Sequence, residues 1–79
     1  MNTALIALAE ALFCSTLPTG TDLPADQIRQ AAGTTVHQLG ERECAARMAQ
    51  QFSEYPDTAV RRMAWARTAV EAAYTTTRA

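Results

Sequence analysis

Apolar residues recur along this chain at helical spacing, and proline or glycine closes each run. In the first segment, about Thr3 to Leu17, Leu5, Leu8 and Leu12 form one stripe. Ile6, Ala9, Phe13 and Leu17 widen it. Ala4, Ala7, Ala11, Cys14, Ser15 and a lone charge, Glu10, make up the rest of the wheel. A helix apolar nearly all round is normally covered by others. Asn2 or Thr3 is the expected N-cap, and Pro18 and Gly20 the stop.

The second segment spans about 24–39, capped by Asp22 or Leu23, with Pro24 and Asp26 in its first turn. Ile28, Ala32, Thr35 and Leu39 share a face, with Val36 at its edge. Gly33 costs about 1 kcal/mol relative to alanine, which suggests a place where another helix comes close. Gly40 ends the run. The third segment, about 41–52, carries Cys44, Met48 and Phe52 every four residues, flanked by Ala45 and Ala49. Its Glu43 and Arg47 suit an i,i+4 pair on the outside. The stretch SEYPD breaks it at Pro56. The fourth segment covers about 57–74, with Val60, Met63, Val70 and Tyr74 on one face. Trp65 sits on another side with Ala69 and Ala72, and Arg61 lies at its edge. Residues 75–79 read as a frayed tail. The expectation is one all-α domain of four helices over residues 1–74.

Composition sharpens this picture. Alanine fills 17 of 79 positions, all seven basic residues are arginine, and the net charge is −1. A chain this short buries only about 60% of its unfolded surface. Its core rarely supplies more than about 3–5 kcal/mol. Alanine lets helices approach closely and pack economically, and self-association is the other common remedy; both are open. The apolar start lacks a positive leader, since the first arginine is Arg29 and Glu10 interrupts the run. It is also too short to span a membrane. A cytoplasmic protein is expected. Cys14 and Cys44 lie thirty residues apart without metal or redox spacing. They read as reduced, buried thiols that could bridge only if two helix faces meet.

No catalytic constellation emerges. His37 is the only histidine and projects away from Ile28, Thr35 and Leu39, as a solvated residue does. Two cysteines and one histidine on separate segments do not make a zinc site. No glycine-rich phosphate loop is present. Neither an enzyme nor a cofactor is expected.

The stretch from Cys44 to Val70, helix, turn and arginine-bearing helix, resembles a helix-turn-helix. That resemblance implies Ala49 at the helix crossing, with Met48, Phe52, Val60 and Met63 as its core. The 57–74 helix would then enter a DNA groove, with Arg61, Arg62 and Arg67 reaching phosphates or base edges. The turn is long and lacks glycine, and residues 41–79 carry six arginines against five acids. Glu43 to Ala66, ECAARMAQQFSEYPDTAVRRMAWA, is similar to a pattern in short uncharacterised actinobacterial proteins, as are the alanine and arginine usage. That similarity implies no activity.

The leading expectation is therefore a non-catalytic regulatory or adaptor protein that works through helical interfaces and forms a homodimer or binds a protein partner. Ile6, Leu12, Phe13 and Trp65 are its candidate interface residues, with packing of Trp65 against the first helix an equal alternative. A DNA-binding regulator using the fourth helix is the alternative.

Overall fold

The computed structural model describes residues 3–75. Four helices are present: α1 (Thr3–Phe13), α2 (Ala25–Leu39), α3 (Glu41–Glu54) and α4 (Pro56–Thr75). No strand occurs among the described residues. Each helix touches the other three, and α1 and α4 share the broadest contact. The expected cap at Asn2 and the tail beyond Thr75 lie outside the described residues.

The boundaries depart from the periodicity where local chemistry competes with it. α1 stops at Phe13, short of Leu17. The Ser15 hydroxyl donates to the Leu12 carbonyl at 2.6 Å and accepts the Leu17 N–H at 3.3 Å. This hydroxyl offers the backbone an alternative to further helix. Pro24, rather than Asp22 or Leu23, holds the cap position of α2. Its carbonyl accepts the N–H groups of Gln27 and Ile28 at 3.0 and 3.1 Å.

Two joints are single residues. Gly40 links α2 to α3 at φ 82° and ψ 157°, a conformation open essentially to glycine alone. Its N–H reaches the Val36 carbonyl, and its own carbonyl accepts from Cys44. Tyr55 alone separates α3 from α4, so the expected SEYPD break contracts to one residue. The ring of Pro56 disfavours helical backbone at Tyr55, which sits at φ −138° and ψ 64°. Pro56 then starts α4, where its missing N–H costs nothing.

The core face of α4 is Ala59, Ala66, Val70 and Ala73, each at most 2% exposed. With Met63 packed against them, they follow alternating steps of four and three residues. Val60, expected in this core, is 57% exposed. The small side chains let α1 and α2 lie close against α4. Facing them are Ala9, Leu12 and Phe13 from α1, and Ile28 and Ala32 from α2. Arg29 fastens the far end of α4. Its guanidinium donates to the Ala73 carbonyl at 2.7 Å, while the Tyr74 hydroxyl donates to the Arg29 carbonyl at 3.4 Å. A cation there also suits the negative C-terminal end of the helix.

Gly33 does not mark a close approach. It is exposed, and a Cβ built on it meets nothing within 4 Å. Gly33→Ala is therefore expected to stabilise the fold by about 0.5–1 kcal/mol. Gly40→Ala is expected to destabilise it by about 1–3 kcal/mol. Urea unfolding of the two variants checks both signs.

Candidate interaction surface

Of the residues singled out by sequence, Leu12 and Phe13 lie in the core at 0% and 4% exposure. Neither is available to a partner. They sit on the buried face of α1, where Phe13 stacks on Phe52 of α3, so their apolarity serves folding. Trp65 is half-buried, and its indole N–H donates to the Thr21 carbonyl at 3.0 Å. Its polar end is thus already used within the chain. Ile6 is 45% exposed and remains a surface residue.

The three arginines of α4 separate in the same way. Arg62 turns inward. Its Nε donates to the Phe13 carbonyl at 2.7 Å, Nη2 to the Ser15 carbonyl at 2.9 Å and Nη1 to the Thr19 hydroxyl at 3.1 Å. Its Cζ lies 5.6 Å from the centroid of the Phe13 ring and 5.1 Å from that of Trp65. Burial pulls its pKa below the ordinary value, an effect that Cys14 partly opposes. It stays charged at neutral pH. Arg62 therefore caps the end of α1 and cannot reach a phosphate without breaking that contact. Arg61 and Arg67 are exposed. Six positions apart on a helix, they diverge by about 120°. They do not form a single basic stripe, and Ala49, the supposed crossing residue, is exposed. The single-residue joint at Tyr55 also differs from the usual 3–4-residue turn of a helix-turn-helix.

His37 is exposed in the last turn of α2. Among the described residues no group of three or more His, Cys, Asp or Glu could hold a metal ion. No helix there is long and apolar enough to cross a membrane. The two cysteine faces do meet: the Cys14 thiol donates to the Cys44 carbonyl at 3.2 Å, and both cysteines are free. Burial, with the neighbouring Cys44 adding to it, pushes the Cys14 pKa up to about 11. Burial also raises Cys44, against the pull of the Cys14 hydrogen bond and Arg47.

The remaining candidate surface lies where α1, α3 and α4 adjoin. An open cleft of about 440 Å³ is lined by Ile6, Ala9, Glu10, Met48, Met63 and Arg67. The helical repeat produces it. Ile6 and Glu10 are one turn apart on α1, as are Met63 and Arg67 on α4. Apolar groups thus fill the cleft, with one carboxylate and one guanidinium among its lining. Glu10, Met48 and Met63 were not marked as surface-site residues by sequence. Glu10 carried a usable signal, because it is the only charge in α1 and stands four positions after Ile6. The methionines carried none, since their spacing fits a core equally well. Comparison of the chain with family models, curated proteins and solved structures returns no match.

Arg62→Ala is expected to destabilise the fold by about 3 kcal/mol, since it strips charged donors from part-buried carbonyls. Arg62→Lys should recover only part of this, lacking the planar fork. Arg61→Ala should stay within about 0.5 kcal/mol of the parent. Chemical denaturation of the three variants checks the ranking. Alkylation of Cys14 in the native protein by iodoacetamide at pH 8 should run about 100-fold slower than for an unperturbed cysteine. The folded-state pKa of Cys14 lies above the ordinary 9.0. Its contribution to stability is therefore complete below pH 9 and lost as pH rises toward 11. Thermal unfolding across that interval, compared with Cys14→Ala, measures the loss.

Proposed function

We propose that this chain is a small non-catalytic regulatory or adaptor protein, working in the cytoplasm through its helical surface and self-association. The observation that carries this reading is the Ile6 cleft. It presents a large aliphatic side chain 45% exposed among methionines, whereas the other α1 stripe residues are buried or half-buried. Apolar surface with charged neighbours is what protein interfaces use. The inward-facing Arg62 and the divergence of Arg61 from Arg67 count against the DNA-binding alternative.

A photo-crosslinking residue at position 6, introduced in cells that make the protein, tests the reading. Illumination should give one discrete adduct, either of twice the chain's mass or with a different protein. The same residue at exposed Gln38 should give none. Failure to form any adduct from position 6 removes the interaction role.

A further inference from the structure

We infer that the occupant of the Ile6 cleft is a second copy of this chain, docked two-fold so that each Glu10 faces the partner's Arg67. The inference rests on the interaction role proposed above and names its partner. Two facts of placement support it. First, Glu10 and Arg67 stand on different helices lining one cleft. Those helices run antiparallel: Arg62, early in α4, reaches the end of α1, while Met63 and Arg67 lie beside Ile6 and Glu10 further back along it. Second, neither charge makes an ion pair with another described residue.

Unlike charges across an apolar strip are self-complementary. A two-fold axis lying in the plane of the strip, perpendicular to the line joining the charges, sends each one onto its opposite. One surface then meets itself with both ion pairs formed and Ile6, Met63 and Met48 brought together. This is the isologous contact of a two-fold dimer. Val60, 57% exposed and one turn before Met63, extends the same apolar stripe along α4. Duplex DNA fits the cleft poorly, because Glu10 would face phosphate. A different protein would have to offer both signs at this spacing, whereas a second copy does so by symmetry. Charges at such a rim fix register and partner choice more than affinity.

Sedimentation equilibrium of the intact chain, alongside Glu10→Arg, Arg67→Glu and their equimolar mixture, tests the pairing. The parent should dimerise. Each single reversal sets like charges opposite one another and should weaken association by more than about tenfold. The mixture should restore it to within about threefold of the parent, because each unlike contact is then re-formed between the two variants. Native mass spectrometry should show the mixed dimer. Recovery in the mixture also shows that both variants fold. A parent that stays monomeric to about 1 mM, single variants that associate like the parent, or a mixture that does not recover would each overturn the inference. If position 6 meanwhile crosslinks to a different protein, the adaptor role stands, and self-association through this cleft is lost with the second copy. If position 6 forms no adduct, the interaction role falls with it.

Discussion

The fold depends on what Arg62 does at the end of α1. A helix leaves its last carbonyls without partners, and the chain beyond Phe13 must turn away through a long loop. The guanidinium of Arg62 binds Phe13 and Ser15 carbonyls and the Thr19 hydroxyl together. Its charged carbon lies over the Phe13 and Trp65 rings. Phe13 in turn stacks on Phe52, with centroids 5.9 Å apart and planes within 15°. A line from Trp65 through Arg62 and Phe13 to Phe52 thus joins α4, α1 and α3. Trp65 extends it to the loop through Thr21. Few large apolar residues are available here, and one cation among rings lets polar backbone and aromatic surface be covered together.

The rest of the packing follows from closeness rather than bulk. Ala59, Ala66 and Ala73 recur every seven residues on α4 and are nearly inaccessible. Larger side chains there would hold α1 and α2 away and leave Arg62 short of its carbonyls. Gly40 and Tyr55, the two single-residue joints, fold α2, α3 and α4 back on one another with almost no loop. The slack lies in the segment after α1, and α4 clamps that segment with Arg62 and Trp65. Thr35, the one buried polar residue among the described residues, donates to the Ala31 carbonyl of its own helix. No buried side-chain nitrogen or oxygen among the described residues lacks a partner.

This economy bears on the proposed role. With Leu12, Phe13 and most of Trp65 used to hold the chain together, the surface retains few large apolar groups. Ile6 and Val60 are the exposed aliphatics of α1 and α4, and the helical repeat places Glu10 and Arg67 one and two turns from them. The same geometry that buries one side of α1 therefore aims its single charge at a cleft.

Helix number, order and most of the inner faces could be read from the chain itself. Period, proline and glycine act locally, and α2 shows this best: Ile28, Ala32 and Thr35 are buried as their spacing requires. Gly40 was likewise legible as a stop, because its backbone is one that other residues avoid. Tertiary structure decided the rest. On α4 the apolar wheel alone favoured Val60 over Ala59, whereas close packing selects the smaller residue. Leu12 and Phe13 looked like surplus apolar surface because spacing cannot show how many neighbours a helix has. Arg62 was indistinguishable from Arg61 and Arg67 in the sequence, since its partners lie more than forty residues away. A charge becomes a cap, a ligand or a solvated side chain according to what the fold brings opposite it, and that depends on contacts no local pattern encodes.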